Sequence, residues 1–212
     1  MRLTKLEHAA LILEESGVRL FIDPGKFTTP ITDAEGTLAV VITHEHDDHW
    51  TPAQLDRILE QSPDARLFGP AGVAAAAGDY PVETVSAGEE RELGPFRLRF
   101  FGGRHAVIHP SIPVIDNVGV LVNEALYYGG DSFAGPEGAA VEVLAAPAAA
   151  PWMKLSESMD YVERVAPKRA FPTHEMLLSR AGKDLSNARL AWATERGGGE
   201  YLALEPGDTL EF

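Results

Sequence analysis

Residues 44 to 49 read His44-Glu45-His46-Asp47-Asp48-His49 and follow the apolar run 38–42. A short, wholly apolar run is typical of a strand buried on both faces, so the polar segment is expected just past a strand end. Clustering three imidazoles with carboxylates is costly unless a cation binds them. In an extended turn, His44 and His46 point the same way and can share one ion. Asp48 and His49 lie further along and can reach a second ion. The segment therefore predicts a metal site beside a buried strand.

Strand and helix patterns alternate on either side of this segment. Residues 2–22 carry a period-two apolar pattern around a Glu-Ser-Gly turn, which predicts a hairpin that ends at Asp23-Pro24-Gly25. The sequence Thr51-Pro52-Ala53-Gln54 predicts a helix start, in which the N-cap threonine and the Gln54 side chain form a capping box.

The second half of the chain repeats this order of elements. We predict a strand at 141–145, a helix from Ser156 to about Val165, a strand at 169–171, a helix at 184–196, and strands at 202–204 and 209–212. Strand runs separated by helices, twice over, predict two sheets packed face to face with helices outside. No composition break marks a second domain, so we expect one domain over residues 1–212.

Most of the histidines follow predicted strands. Five of the seven lie at strand ends or in the turns after them, namely His44, His46, His49, His105 and His174. Residues just beyond strand ends are held by the sheet yet remain open to solvent, so they can converge on a ligand. These histidines are therefore candidate metal ligands.

The pattern His44-x-His46-x-Asp48-His49 resembles the signature of the metallo-β-lactamase superfamily of hydrolases, and the resemblance extends over essentially the whole chain. Further residues match conserved positions of that family in the expected order: Asp23, His105, Asp131 and His174. The stretches Leu6-Glu7-His8-Ala9 and Ile22-Asp23-Pro24-Gly25 look most like the compact branch that includes the ascorbate-6-phosphate lactonase-like proteins. The resemblance implies an α+β fold, the four-layer αβ/βα sandwich.

The resemblance also implies a two-metal site and a mechanism. The first ion would be held by His44, His46 and His105, the second by Asp48, His49 and His174, and Asp131 would bridge them. Two close cations lower the pKa of a shared water, which gives a hydroxide that attacks the substrate near neutral pH. Asp48 could accept a proton from that water or pass it to the leaving group, so it is the candidate catalytic residue.

The residue types restrict which metal ions could bind and which side chains could hold them. The chain has no cysteine, which excludes disulfides, thiolate zinc sites and cysteine nucleophiles. Imidazole and carboxylate must therefore hold any metal. Imidazoles favour zinc, and the carboxylates of the second site would also accept manganese or iron. We expect two divalent ions, with zinc first and manganese or iron as alternatives.

Four other residues are candidates for contacts with the ligands or the substrate. Asp23 is either an ordinary turn residue or a hydrogen-bond partner of a ligand histidine. His8 is a satisfied core histidine or a substrate-pocket residue. His109 competes with His105 for the ligand role, or it touches substrate instead. Trp152, in the Ala/Pro-rich loop, either lines the pocket rim or packs in the core.

Charge indicates the class of partner. The formal net charge of −14 disfavours phosphate backbones and anionic membranes through long-range repulsion. We therefore expect a small-molecule substrate, with neither nucleic acid nor membrane as partner. The apolar run 9–13 is too short for a signal peptide, and no stretch approaches membrane-spanning length. A cytoplasmic enzyme is the resulting expectation, and the oligomeric state stays open.

Three functions are compatible with these residues. The first is a dinuclear metal-dependent hydrolase that acts on a small ester, lactone or related bond. The second is a phosphodiesterase for a cyclic nucleotide or short nucleic acid, for which Arg104 and Lys154 are the obvious basic candidates. The third is a non-catalytic metal-binding or sensing protein. The presence of every expected ligand, together with Asp48, favours the hydrolase.

Overall fold

Two seven-stranded sheets form the framework, and the computed structural model describes residues 1–212. The first elements along the chain are β1 (Arg2–Lys5), β2 (Leu11–Glu15), β3 (Val18–Ile22), β4 (Thr37–Val41), α1 (Pro52–Gln61), β5 (Arg66–Gly69), α2 (Ala71–Ala76) and β6 (Val82–Thr84). The later elements are β7 (Glu90–Leu93), β8 (Phe96–Arg104), β9 (Asp116–Val122), β10 (Leu126–Tyr128), β11 (Val143–Pro147), α3 (Leu155–Val165), β12 (Arg169–Thr173), α4 (Arg180–Arg196), β13 (Glu200–Tyr201) and β14 (Thr209–Glu211).

Each sheet combines an antiparallel part with a parallel part. The first has the order β14-β1-β2-β3-β4-β5-β6, and the second has the order β13-β12-β11-β10-β9-β8-β7. In the first sheet, strands β3 to β6 run parallel, and in the second, strands β10 to β13 do so. Since parallel strands end at the same edge of a sheet, the loops after them lie side by side. The last strand, β14, returns to pair antiparallel with β1.

The core is divided into three apolar layers. The largest cluster draws on both sheets and lies between them, with Leu11, Val41, Phe100 and Phe171 among its fully or almost fully buried members. A second cluster joins the other face of the first sheet to α1 and α2, and a third joins the second sheet to α3 and α4. Strand β4 contributes to two of these layers, as expected for an apolar strand buried on both faces. The structure confirms the predicted αβ/βα sandwich.

Helix caps differ from the sequence expectation at two places. At α1, Thr51 Oγ1 accepts a hydrogen bond from the Gln54 backbone nitrogen at 3.2 Å, as predicted. The Gln54 side chain does not return to the cap, because it accepts from the Ile31 nitrogen and donates to Thr28 oxygen. The predicted capping box was therefore wrong, and Gln54 instead anchors the loop before β4. Helix α3 begins at Leu155 after Lys154, two residues earlier than a Ser156 cap allows.

The C-terminal elements also shift from their predicted positions. Helix α4 starts at Arg180 instead of residue 184, because Ser179 Oγ accepts from the Gly182 nitrogen at 3.2 Å and caps the helix there. The strand predicted at 202–204 is wrong, since the ladder with β12 ends at Tyr201. Leu202 and Leu204 nevertheless pack against the central core, which explains their alternating pattern. None of the helices combines the length and apolarity needed to cross a bilayer.

Candidate metal centre

The predicted ligands meet at one edge of the sandwich, where strands of both sheets end. Residues 44–49 follow β4 in the first sheet, while His105, Asp131 and His174 follow β8, β10 and β12 in the second. Backbone hydrogen bonds join these loops: Val118 nitrogen donates to Thr43 oxygen at 2.9 Å, and Ala106 nitrogen donates to Asp131 oxygen at 2.8 Å. The fold thus brings together side chains that lie far apart in sequence.

One group of possible metal ligands combines three histidines with an aspartate. Single donor atoms of His44, His46, His105 and Asp131 lie within 4.8 Å of one another. His44 Nε2 is 3.0 Å from His46 Nδ1, and His105 Nε2 is 3.4 Å from Asp131 Oδ2. All of these residues are buried except His46, which is half-buried. We call these residues the first ligand group.

A second ligand group lies beside the first. It contains Asp48, His49, His174 and also His8, with donor atoms again within 4.8 Å of one another. Asp131 reaches this group too, because its Oδ1 is 3.2 Å from His49 Nε2 and its Oδ2 is 3.2 Å from His174 Nε2. Asp131, a member of the first group, therefore contacts both groups.

Buried donor atoms without partners indicate what the two groups could hold. His49 Nε2, His105 Nε2, His174 Nε2 and Asp131 Oδ1 are all inaccessible to solvent and make no hydrogen bond. Leaving such atoms unpaired in a protein interior is costly. All four face the space between the groups, and nitrogen and carboxylate oxygen are ligands for divalent transition metals. The residues present therefore fit divalent cations.

The Nδ1 atoms of these three histidines form hydrogen bonds, which fixes the orientation of each ring. His49 Nδ1 donates to Asp23 Oδ2 at 2.6 Å, His105 Nδ1 to Ala106 oxygen at 2.5 Å, and His174 Nδ1 to Ala149 oxygen at 2.6 Å. Because Nδ1 carries the proton, the free lone pair is on Nε2, which is directed at the centre. This is the pattern of metal-ligating histidines.

Asp23 holds more than one part of the centre. Its carboxylate accepts from His49 Nδ1 and also from the Thr43 backbone nitrogen at 2.8 Å and the Thr43 hydroxyl at 2.6 Å. Asp23 is fully buried and has a positive φ of 47°. A substituted side chain at nearby Gly25 would overlap the backbone of Asp48, so this turn requires glycine.

His8 shows the opposite hydrogen-bond pattern to the ligand histidines. Its Nε2 lies 3.2 Å from Asp48 Oδ2 and donates to that carboxylate, while its Nδ1 is buried without a partner. The ring is fully buried and packs against His174 at an interplanar angle of 46°, with centroids 3.9 Å apart. The backbone oxygen of His8 also accepts from the His174 nitrogen at 2.9 Å. His8 thus contacts two residues of the second group.

The carboxylates and histidines of the centre shift one another's pKa values. Burial opposes protonation of His174, but the nearby Asp131 and Asp48 carboxylates outweigh it and raise its pKa to about 9. Burial lowers the pKa of His8 to about 4, which keeps this ring neutral. Burial disfavours ionised Asp131, yet the surrounding histidines hold its pKa well below the usual range. Without a cation, protons on histidines must balance the carboxylates, and divalent cations would take over that charge.

Two contacts around the centre were missed by sequence reasoning. Asn117 accepts from the Asp131 nitrogen at 3.0 Å and donates to Gly129 oxygen at 2.9 Å, so it fixes the turn that presents Asp131. The only available signal was a single amide side chain beside an apolar strand. Lys5 Nζ donates to Glu175 Oε1 at 2.7 Å, and both side chains are buried. This ion pair ties β1 to the residue after His174.

His109 lies apart from both ligand groups. Its side chain is exposed, and its Nδ1 accepts from the Ser111 nitrogen at 3.2 Å. His105, not its competitor His109, is therefore the histidine that the structure places beside Asp131. Trp152 is buried, and its indole Nε1 donates to Asp131 Oδ2 at 2.7 Å.

Comparison with known proteins identifies similar chains. The model of a β-lactamase superfamily domain matches residues 2–174. Protein Rv0786c of Mycobacterium tuberculosis is 41% identical over 199 residues, which cover 92% of this chain and 93% of that protein. A UPF0173 metal-dependent hydrolase of Aeropyrum pernix is 27% identical over 62% of this chain and 61% of that protein. Igni18, a metallo hydrolase of Ignicoccus hospitalis, shares the fold with a TM-score of 0.74 at 20% identity, covering 100% of this chain and 98% of that chain.

Proposed function

The chain belongs to the β-lactamase superfamily and is a metal-dependent hydrolase, and we propose that it uses two divalent cations to hydrolyse a small ester, lactone or related substrate. The observation that supports two cations is the position of Asp131. Its carboxylate lies within 3.4 Å of His105 Nε2 in the first ligand group and within 3.2 Å of His174 Nε2 in the second.

Each ligand group would hold one ion. His44, His46 and His105 would bind the first, Asp48, His49 and His174 the second, and Asp131 would contact both. When bound, the cations would lower the pKa of a water molecule and polarise the substrate oxygen. The imidazoles favour zinc, and the carboxylates of the second group would also accept manganese or iron.

Asp48 is the residue that we propose to move the proton. Its side chain is 19% exposed, whereas that of Asp131 is 4% exposed, so Asp48 is the carboxylate that substrate and water can reach. It could accept a proton from the attacking water and pass it to the leaving group. His8 would keep Asp48 in place, because its Nε2 donates to Asp48 Oδ2 and its neutral, buried ring is held against His174.

The surroundings of the centre favour a neutral substrate. Two exposed apolar residues, Val107 and Met176, follow the proposed ligands His105 and His174 by two positions along the chain. The net charge of −14 opposes the approach of polyanions. An ester or lactone fits both observations better than a nucleic acid does.

A phosphodiester is the second candidate because of Arg104. This residue is exposed, directly precedes His105 and makes no ion pair. Its guanidinium belongs to the residue before a proposed ligand and could bind one phosphate of a small substrate, such as a cyclic nucleotide. The Arg104→Gln variant separates the candidates, since it should weaken phosphodiester turnover and leave ester turnover unchanged.

A substrate panel tests the proposal. Purified protein is depleted of metal, reloaded with zinc, manganese or iron, and assayed with esters, lactones and phosphodiesters. We expect turnover of at least one neutral ester or lactone, complete loss on chelation, and recovery on reloading. Turnover of phosphodiesters alone would replace the first candidate with the second. No turnover by fully loaded protein on a broad panel would contradict the proposed substrate class.

A further inference from the structure

We propose that Trp152 is a positioning residue of the metal centre: its indole N–H fixes the shared carboxylate of Asp131, and the loop that carries it, residues 148–154, is thereby coupled to metal binding. This inference rests on the proposed role of Asp131 as a ligand to both ions. It assigns a function to the loop between β11 and α3, which otherwise only connects a strand to a helix.

The first argument is the hydrogen bond itself. Trp152 Nε1 donates to Asp131 Oδ2 at 2.7 Å, and the tryptophan is 8% exposed. The backbone of Asp131 is fixed separately, since its nitrogen donates to Asn117 Oδ1 and its oxygen accepts from the Ala106 nitrogen. The backbone contacts locate the residue, and the indole determines how its carboxylate is turned. A buried carboxylate fixed by such a donor presents its remaining lone pairs in defined directions.

The second argument is where the indole ring lies. Its centroid is 6.0 Å from that of His105 in the first ligand group and 6.4 Å from that of His174 in the second. Phe133 packs on the ring edge-on, at 5.1 Å between centroids. The ring therefore adjoins one ligand from each group while its N–H reaches the residue between them.

The third argument is that the same loop holds His174. Ala149 oxygen accepts from His174 Nδ1 at 2.6 Å, and the Ala148 nitrogen donates to Thr173 oxygen at 2.8 Å. The start of the loop is itself anchored to α3, because Ser158 Oγ donates to Pro147 oxygen at 2.6 Å. A displacement of the loop would therefore misplace His174 and Asp131 together.

Core packing alone does not account for this arrangement. Packing against Phe133 explains why the indole ring is buried, but any aromatic ring would serve that purpose. The polar edge of the indole is directed at the carboxylate, and phenylalanine, whose ring is also smaller, lacks that donor.

Two substitutions separate positioning from packing. Trp152→Phe keeps an aromatic ring and removes the N–H, whereas Phe133→Leu removes an aromatic contact and leaves the N–H in place. If Trp152 positions Asp131, the dissociation constant of the weaker-bound zinc ion should rise about 10- to 100-fold in Trp152→Phe. It should stay within about threefold of wild type in Phe133→Leu and in Trp192→Phe, whose tryptophan is exposed on α4.

Metal affinity is measured by competition with a chelator at a temperature where all variants are folded. Equal zinc affinity of Trp152→Phe and wild type would overturn the proposal, whatever happens to the melting temperature. Equal losses in Trp152→Phe and Phe133→Leu would also overturn it, because packing alone would then explain the effect. A wild-type protein that binds no divalent ion would contradict the proposed function itself, which is a different result from either of these.

Intrinsic fluorescence provides a second test that keeps Trp152 in place. In a Trp50→Phe/Trp192→Phe variant, Trp152 is the sole indole, since the chain has three tryptophans. Zinc titration should change its emission in step with metal bound, as measured by equilibrium dialysis. An emission spectrum that stays constant while zinc binds would contradict the coupling of this residue to the centre.

Discussion

The two ligand groups differ in how they are supported. In the first group, His105 donates to the backbone oxygen of its own neighbour, Ala106, and half-buried His46 lies against His44. In the second group, His49 donates to the buried carboxylate of Asp23, and His8 donates to Asp48. The ring of His105 is thus held by its own chain neighbour, whereas His49 and Asp48 depend on residues from distant parts of the chain. Substitutions of Asp23 and His8 should therefore act mainly on the second group.

The largest effect is expected at Asp48. Asp48→Asn removes the proposed proton acceptor and one ligand of the second group, so the hydrolysis rate should fall about 100- to 10,000-fold. The matched control is Asp47→Asn, because Asp47 is exposed, pairs with Lys26 at 2.6 Å and belongs to neither group. Steady-state kinetics of both variants at saturating metal would check the difference. Unchanged turnover in Asp48→Asn would show that the proton takes another route.

The buried ion pair behind His174 should give the next largest effect. Lys5→Met leaves the Glu175 carboxylate buried without its partner, which should cost about 3–5 kcal/mol in the free energy of unfolding. The double variant Lys5→Met/Glu175→Leu removes both charges and should recover most of that loss. Urea unfolding of the wild type and both variants gives the free energies of unfolding to be compared. A double variant as unstable as Lys5→Met would mean that the pair does more than compensate its own burial.

His8 should influence the second ion but not the first. His8→Phe keeps a ring that can pack against His174 and removes the donor to Asp48, so the second ion should bind about 10- to 100-fold more weakly. His8→Gln retains an N–H donor and should lose less. Zinc titrations that resolve two binding steps would separate these outcomes. Equal weakening of both steps would contradict the assignment of His8 to one group.

The smallest effect is expected at His109. The ring is exposed and bonded to Ser111, outside both groups, so His109→Ala should change metal affinity and turnover less than about threefold. Calorimetric titration with zinc and kinetics on the best substrate would check this. A tenfold rise in KM with unchanged metal affinity would instead identify His109 as a substrate contact.

The strand pattern predicted two packed sheets with polar residues at strand ends, and the family resemblance implied the four-layer sandwich. Apolar runs such as 38–42 identify buried strands, and polar residues directly after them must lie at strand ends. The resemblance to the metallo-β-lactamase superfamily then supplied the assignment of His105, Asp131 and His174. The structure places all three within one cluster.

What the sequence did not predict depends on contacts between distant segments. The pairing of Lys5 with Glu175 joins residues 170 positions apart, and no local pattern indicates it. The indole of Trp152 reaches Asp131 only because the loop after β11 folds back over the centre. The Gln54 side chain satisfied the rule for a capping box, but buried backbone groups at 28 and 31 competed for it. The Gln54 side chain therefore bonds to buried backbone groups of a distant segment and not to the start of its own helix.

The most direct test of the account is a count of metal ions in the folded protein. Chelator-treated protein is reloaded with excess zinc, freed of unbound metal, and analysed for zinc and protein. If Asp131 joins two ligand groups that each hold an ion, wild type should retain two zinc ions per chain. One ion or none per folded chain would contradict the two-metal centre.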